Sequence, residues 1–351
     1  MSFIKISNKY VGENFKPFII AEAGINHNGS VKKALKMVEI AKECKADAIK
    51  FQTYSTDEFI SNKNKKYKYK IKNKVISESM YSIFKRCELS INDWKKIKNK
   101  CDKEKIIFLS TPSSYDDLRL LRKLKVPAIK IGSDDFNNIP LIQSVVKSKL
   151  PLILSSGMST LKEIETTLKY SGALKGYPVI LMLCVSNYPT NPVDVNIKRL
   201  GYLKNKYPNL KFGFSDHTQG SSAASLAIAF GARCFEKHFT LKKSDKGPDH
   251  WFSENKESLS FWVKTIQESF LMLGKSKLFP VKSEIKMRNL ARKSIVASEN
   301  IEKGDKISVK NVCFKRPGTG LEPVKLEKII GKKTKILIRK NNLIKMNHLS
   351  K

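Results

Sequence analysis

The chain contains 351 residues, with 67 lysines and arginines against 32 aspartates and glutamates, so its formal net charge is +35. A hydrophobic fraction of 41% and an aromatic fraction of 9% are typical of a folded globular protein and exclude an intrinsically disordered one. The charge excess is lysine spread over nearly every segment rather than clustered arginine, which favours a solvated basic surface over a nucleic-acid interface; its field would attract an anionic substrate.

The chain begins with MSFIKISNKY, which lacks the long apolar stretch of a signal peptide. The most apolar run, at 177–185, is far shorter than the ~20 residues of a membrane helix. No two of the six cysteines are spaced as C-x-x-C, and those in apolar runs behave as small hydrophobic residues. We therefore predict a reduced, cytoplasmic protein without a membrane partner.

From residue 18 to residue 273, short apolar runs alternate with longer amphipathic stretches. The runs predict eight strands, at 18–23, 48–52, 106–110, 128–131, 152–155, 179–185, 211–215 and 234–238. The stretches between them predict helices, among them 31–44, 91–101, 221–230, 257–273 and one that begins after Thr160. Because strands that alternate with helices are parallel, and because these strands are almost continuously apolar, we predict a (β/α)8 TIM barrel rather than an open doubly wound sheet.

Two stretches depart from this alternation. Residues 61–74, SNKNKKYKYKIKNK, are lysine-rich and predict either a solvated, mobile insertion or a basic loop over an anionic site. Beyond the barrel at 1–274, residues 275–292 are basic and predict a linker, and residues 293–351 contain short β-like pieces separated by glycines. We expect this last part to be a small β-rich domain.

Polar side chains mark the predicted carboxyl end of every strand, which is the end where (β/α)8 barrels place their active sites. They are Glu22; Lys50 and Gln52; Thr111; Lys130 and Ser133; Ser155; Ser186 and Tyr188; Ser215 and His217; and Glu236 and His238. Taken singly, each has a structural explanation, such as a helix cap or a surface cation. Their convergence predicts an active site.

The residue types at these strand ends predict a particular chemistry. The lysines and hydroxyls can hold a phosphate and a carboxylate. Two histidines on adjacent strands, His217 and His238, can share one divalent metal ion and leave coordination positions open for water and substrate. Glu22 supplies a carboxylate that can position or deprotonate water.

Several motifs together resemble those of the sialic acid synthases, which join phosphoenolpyruvate to N-acetylmannosamine or a related sugar. The motifs are IAEAGINHNG, KFQTY, STP, KIGS, SSGMS, NYPT, FSDHT, EKHFT and GPDHWFS. The tail, ARKSIVA…FKRPGTGL, resembles the antifreeze-like (SAF) domain of the same enzymes. The resemblance covers essentially the whole chain and implies a TIM barrel followed by this small β-rich domain.

The resemblance also implies roles for individual residues. Glu22, His217 and His238 match catalytic positions, and the two histidines match the ligands of a metal ion, Mn2+ first and Mg2+ or Co2+ as alternatives. Arg316 matches an arginine that reaches the partner's active site in a domain-swapped homodimer. The positions that match phosphoenolpyruvate-binding residues are Lys50, Thr111, Lys130, Ser133, Ser155, Ser186 and Ser215, and those that match sugar-binding residues are Gln52, Asp135, Tyr188, Asp249 and Arg316.

Three residues on or beside the sugar-binding side depart from the family pattern. Ser113 stands in place of an aromatic residue, Asp135 in place of a glutamate and Ser186 in place of an asparagine. They leave the acceptor sugar open. N-acetylneuraminate synthesis is the first interpretation, and legionaminic acid synthesis from a diacetamido-trideoxymannose is the alternative. The rival enzyme is a phosphoenolpyruvate-dependent synthase of octulosonate or heptulosonate type, which acts on a phosphorylated aldose. The rival without catalysis is a basic nucleic-acid-binding barrel.

Overall fold

The computed structural model describes residues 3–71 and 74–350 of the chain. The chain divides into two compact units between Gly274 and Lys275, which coincides with the predicted end of the barrel. Of the helices in these described ranges, none is both long and apolar enough to span a membrane.

The first unit is built around eight parallel strands, which confirm the predicted barrel. The strands are Phe18–Gly24, Ala48–Thr53, Ile107–Pro112, Ile129–Ile131, Leu152–Ser155, Val179–Cys184, Lys211–Asp216 and Ala232–His238. Each begins and ends within about two residues of its predicted bounds. The third and fourth of these strands contact each other, but within the described residues no ladder of hydrogen bonds joins them, so the barrel is nearly closed.

Helices connect successive strands and pack their apolar faces on the barrel. The side chains of Ser90 and Thr160 accept hydrogen bonds from the third backbone amide of the following helix, in complete capping boxes. The helices of this unit are Val31–Glu43, Thr56–Phe59, Met80–Cys87, Ile91–Glu104, Tyr115–Lys123, Ile139–Lys147, Leu161–Tyr170, Pro192–Val195, Lys198–Lys206, Ser222–Ala229 and Lys256–Met272, with a 3-10 helix at Ala173–Lys175.

An antiparallel hairpin closes the amino end of the barrel. Its strands are Phe3–Ile6 and Lys9–Gly12. Ile4, Ile6 and Val11 are buried together with apolar residues from the barrel strands, in a core inside the barrel. The opposite end, where the polar strand ends lie, is therefore the end that stays open to substrates.

Most of the lysine-rich segment belongs to a second hairpin, which neither interpretation of the sequence predicted. Lys66–Ile71 pairs antiparallel with Lys74–Ser79, and Lys72 and Asn73 lie outside the described residues. Alternate side chains of a strand lie on opposite faces, which places the lysines at 66, 68 and 70 in solvent while Tyr69 is only 4% exposed. Tyr69 belongs to a small apolar cluster with Ile25 and residues of the helix Met80–Cys87.

The second unit has a core of its own. Ser294–Ala297 pairs antiparallel with Val312–Lys315, and the core is mainly isoleucine: Ile295, Ile301, Ile307, Ile329, Ile338 and Ile344. The helix Ile285–Ala291 falls inside the segment 275–292 that the sequence predicts to be a linker, so regular structure begins earlier than predicted. The other helix is Leu326–Ile329, and 3-10 helices lie at Lys282–Glu284, Pro323–Lys325 and Met346–His348.

Candidate active site

The polar strand ends converge on one cavity of about 80 Å3 at the carboxyl end of the barrel. The predicted site residues that line it are Glu22, Lys50, Gln52, Thr111, Lys130, Ser133, Ser155, Tyr188, Ser215, His217 and His238. They come from all eight strands or from the loops directly after them. The parallel barrel topology therefore assembles the site from side chains that are distant in sequence.

Two lysines and two glutamates form a buried charge cluster in this cavity. Lys50 Nζ lies 2.9 Å from Glu22 Oε2 and 3.7 Å from Glu236 Oε2. Lys130 Nζ lies 3.5 Å from Glu236 Oε1. All four side chains are almost fully buried. Each charge of the cluster therefore has an opposite charge beside it, which offsets part of the cost of burying it.

The two glutamates differ in their pKa values. Burial raises the pKa of Glu22 above that of an ordinary glutamate and Glu236 adds to the rise, whereas Lys50 opposes it. For Glu236, burial is outweighed by Lys130 and Lys50, which hold its pKa well below the usual range. The pKa values of neighbouring carboxyl groups differ in this way because a second negative charge is disfavoured beside the first. The site thus contains one carboxylate that stays charged and one that exchanges a proton more readily.

Hydroxyl groups surround the two ammonium groups. Thr111 Oγ1 accepts a hydrogen bond from Lys50 Nζ at 3.1 Å, and Ser215 Oγ donates to Glu236 Oε1 at 3.0 Å. The buried Ser155 hydroxyl has no hydrogen-bond partner in the part of the chain that the structure describes. Because buried polar groups are nearly always hydrogen-bonded, an unpaired hydroxyl in a cavity with two ammonium groups indicates a site for an oxyanion.

His217 and His238 lie next to each other, with their ring centroids 5.5 Å apart. His217 Nδ1 donates to the backbone carbonyl of Val185 at 2.8 Å, so in the neutral ring Nε2 carries the lone pair. His238 Nδ1 is buried and has no hydrogen-bond partner among the described residues. Burial and the neighbouring His217 hold the pKa of His238 well below its usual value, which favours the neutral ring.

These donors fit a metal ion that is held by two imidazoles. Within residues 3–71 and 74–350, no group of three or more histidine, cysteine or acidic side chains is arranged to hold a metal. A metal ion held here would have His217 and His238 as its protein ligands, and water or substrate would complete the coordination. The neutral ring of His238, with an unpartnered nitrogen, is the form that coordinates a metal.

A second cavity, of about 220 Å3, adjoins the first and shares Gln52, Tyr188 and His238 with it. Asp249 lines this cavity with its Oδ2 3.9 Å from His238 Nδ1, and burial raises the pKa of Asp249 to about 6. The rest of the wall is mostly apolar: Ile25, Phe59, Tyr67, Met80, Ile83, Phe84 and Pro248. Because Tyr67 belongs to the hairpin, the lysine-rich segment contributes one side chain to this wall, and none of its lysines lines either cavity.

Three predicted site residues line neither cavity. Asp135 lines neither cavity, because its carboxylate accepts a hydrogen bond from the Asn138 side chain at 2.9 Å; its neighbour Asp134 lines both. Ser186 is half-buried and lines neither cavity, although its hydroxyl is buried, and a Cβ at Gly157 would meet both this hydroxyl and that of Ser133. Arg316 belongs to the second unit, where it follows the strand Val312–Lys315 and is exposed.

Sequence reasoning assigned no role to several residues of the site. Glu236 stands two positions before His238 on the same strand, so the period of two predicts that both face the cavity; this signal was available. Cys184 ends the sixth strand in an apolar run and offered no such signal. Tyr67 and Met80 also offered none, because their position depends on how the hairpin folds back over the barrel.

A barrel whose carboxyl end combines two buried ammonium groups with a pair of imidazoles has the architecture of an enzyme for an anionic substrate. The NeuB family model matches residues 37–278, and the SAF domain model matches residues 292–350. The chain belongs to the NeuB family of nonulosonic acid synthases, and its second unit contains a SAF domain.

Individual relatives span nearly the whole chain. It is 41% identical to the Methanocaldococcus jannaschii protein MJ1065, over 95% of each chain. It is 35% identical to the N,N'-diacetyllegionaminic acid synthase of Legionella pneumophila, over 96% of each. The crystal structure of the N-acetylneuraminic acid synthetase of Leptospira borgpetersenii matches with a TM-score of 0.73 and 35% identity, covering 82% of this chain and 96% of that one.

Proposed function

We propose that the protein condenses phosphoenolpyruvate with the aldehyde of an N-acetylated hexose and releases phosphate, which yields a nonulosonic acid. The observation that supports this proposal best is the convergence of Lys50, Lys130, His217 and His238 on one cavity. The ammonium groups supply the positive charge that a phosphate and a carboxylate require. The imidazoles supply a place for a metal ion beside them.

Phosphoenolpyruvate would bind between the two lysines. Thr111 already accepts from Lys50 and Ser215 already donates to Glu236, so these hydroxyls are oriented around the ammonium groups before substrate arrives. The unpaired hydroxyl of Ser155 adds a donor that a substrate oxygen would satisfy.

His217 and His238 would hold the metal ion. We take Mn2+ as the first choice because imidazole suits it, and Co2+ and Mg2+ as alternatives to compare. When bound there, the ion supplies Lewis acidity to the acceptor aldehyde. The second cavity, which begins at His238 and Tyr188, is where the rest of the acceptor would lie.

The reaction balances as follows. C3 of phosphoenolpyruvate forms a bond to the aldehyde carbon, and positive charge develops at C2. Water adds at C2 and gives its proton to Glu22, the buried carboxylate with the raised pKa. The resulting tetrahedral intermediate breaks the bond between C2 and the bridging oxygen, so phosphate leaves with that oxygen and with the proton of the C2 hydroxyl, which becomes the keto oxygen. The proton on Glu22 goes to the alkoxide that formed from the aldehyde oxygen. The keto acid that remains then cyclises.

For the acceptor we propose a diacetamido-trideoxymannose, as in legionaminic acid synthesis. Its support is the apolar wall of the second cavity, formed by residues such as Ile25, Met80 and Phe84, which suits a methyl group at C6 and a second acetamido methyl better than hydroxyls. The activity of the Legionella relative, an N,N'-diacetyllegionaminic acid synthase, points the same way. N-acetylmannosamine is the second candidate, supported by the sequence resemblance and by the named activity of the Leptospira enzyme.

A phosphate-release assay with several acceptors tests the activity and the acceptor together. We expect release from phosphoenolpyruvate to require Mn2+ and an N-acetylated acceptor, and kcat/KM to be highest for the diacetamido-trideoxymannose. One extra or missing methyl in an apolar pocket changes kcat/KM by roughly 10- to 200-fold. With labelled bridging oxygen, the label should appear in phosphate; label in the sugar acid would contradict the route. Faster turnover of a phosphorylated aldose would favour the heptulosonate-type rival.

We also propose that the active enzyme is a domain-swapped homodimer in which Arg316 of each subunit completes the partner's site. The support is the exposed position of Arg316 in the SAF-containing unit and its match to the family motif. An exposed guanidinium that forms no ion pair within the described residues is available to bind a carboxylate or hydroxyl of a substrate.

Mixing two inactive variants tests the swap. His238→Ala damages the barrel site and Arg316→Ala damages only the contribution of the second unit. In a swapped heterodimer, the Arg316→Ala barrel receives an intact Arg316 from its partner, so one of the two sites is complete. We expect activity to return when the two variants are unfolded and refolded together, to a clear fraction of wild type. If Arg316 served its own barrel, no site in the mixture would be complete and activity would not return.

A further inference from the structure

A buried ion pair lies directly behind the two histidines. Asp216 and Lys237 precede His217 and His238 in the sequence and are register partners on the last two barrel strands. Because side chains alternate along a strand, they point away from the cavity while the histidines point toward it. Lys237 Nζ lies 2.9 Å from Asp216 Oδ2, and the two residues are 2% and 1% exposed.

Every polar atom of this pair is engaged. Asp216 Oδ1 accepts from the backbone amide of Thr218 at 2.9 Å and from its hydroxyl at 2.7 Å. Asp216 Oδ2 also accepts from Trp262 Nε1 at 2.9 Å. Lys237 Nζ donates to the carbonyl oxygens of Thr218 and Gly220. In the sequence, His217 therefore lies between Asp216 and Thr218, and these two residues are hydrogen-bonded to each other.

The same lysine also restrains the backbone beside His238. Lys237 Nζ lies 3.6 Å from Glu254 Oε1. The Glu254 amide donates to the His238 carbonyl at 2.9 Å, and the Glu254 carbonyl accepts from Thr240 at 2.8 Å. The segment that ends at Glu254 carries Phe252, whose ring centroid is 5.3 Å from that of His238. One ammonium group thus joins the ends of both histidine-bearing strands.

We propose that Asp216 and Lys237 are positioning residues that fix the two imidazoles at the separation one metal ion requires. This inference rests on the proposed function, because it presumes that the histidines bind a metal. A pair that served only the fold would be replaceable by apolar residues of similar shape, since such replacements of buried ion pairs are often neutral. A pair that orients ligands would not be, because the partners that orient metal ligands affect metal affinity by roughly 10- to 100-fold.

The test measures Mn2+ affinity of the full chain by electron paramagnetic resonance, together with thermal unfolding. The variants are Asp216→Asn, Lys237→Met and the double variant. Lys237→Met leaves the buried Asp216 carboxylate without its ion-pair partner, and Asp216→Asn leaves the buried Lys237 with only the more distant Glu254, so each single variant is expected to be less stable. The double variant removes both charges, so it is expected to regain stability yet to bind Mn2+ about 10-fold more weakly than wild type. Lys204→Met, which removes the ion pair with Glu13 at the other end of the barrel, is the control and should bind Mn2+ normally.

The possible outcomes distinguish a failure of the positioning role from a failure of the proposed metal site. Wild-type Mn2+ affinity in the folded double variant would overturn the positioning role and leave the metal site intact. Weaker Mn2+ binding in the double variant, with normal binding in Lys204→Met, supports the role. If the wild-type protein bound no Mn2+, Co2+ or Mg2+, the metal site itself would be contradicted, and the positioning role with it.

Discussion

We expect His238→Ala to lower metal-dependent kcat/KM by about 1000-fold while the protein stays folded. Stabilisation of developing charge by a metal ion amounts to several kcal/mol, and each ~1.4 kcal/mol corresponds to a factor of ten in rate. His238 contributes little to the core, because it stands at the last position of its strand and its Nδ1 has no partner in the described residues. Steady-state kinetics with a titration of Mn2+ measures the loss, and circular dichroism verifies the fold.

His250→Ala is the matched control for this variant. His250 is also buried, but its Nδ1 contacts Thr240 Oγ1 at 2.6 Å and its Nε2 lies 3.3 Å from Asn28 Oδ1. Both ring nitrogens are thus engaged in the structure itself, so we expect this variant to lose stability while it keeps Mn2+ binding. Wild-type, Mn2+-dependent kinetics in His238→Ala would remove His238 from the proposed metal site.

The barrel and most of its site could be predicted because short apolar runs, typical of strands, alternate regularly along the chain with amphipathic stretches, typical of helices. The apolar runs define strands, and the parallel topology then brings every strand end to one rim. Lys50 and Lys130 are 80 positions apart, yet both lie within 4 Å of Glu236. No sequence feature that links these three residues was needed to predict that they lie close together, because the parallel topology brings their strand ends to the same rim.

The sequence could not predict which residues of a loop turn inward. Asp134 and Asp135 are adjacent and chemically identical, and the choice between them depends on the turn that places Asp135 against Asn138. The hairpin at 66–79 could not be predicted either, because lysines dominate its composition and the alternation of exposed and buried side chains that buries Tyr69 is short. Asp249 lies in a long connection after the last strand, where only the family motif gave a signal.

We expect Glu22→Gln to lower kcat by roughly 100- to 10,000-fold, the range of general acid–base catalysis, and to remove the acid limb of the pH profile. Glu22 must be ionised to take a proton from water, so wild-type activity should rise as pH rises through its pKa. Burial raises this pKa, which places the acid limb well above the ~4.3 of an ordinary glutamate. The pH dependence of kcat/KM measures the limb, since it reports groups in the free enzyme.

Glu22→Asp separates the proton transfer from a general loss of charge balance around Lys50. Aspartate keeps a titratable carboxylate but withdraws it by one methylene from a position where Glu22 Oε2 is 2.9 Å from Lys50 Nζ. We expect Glu22→Asp to have reduced activity that still rises with pH, whereas the activity of Glu22→Gln should not change with pH on the acid side of the profile. Residual activity of the glutamine variant that kept the wild-type limb would assign the titration to another group, with Asp249, whose pKa burial raises to about 6, as the next to examine.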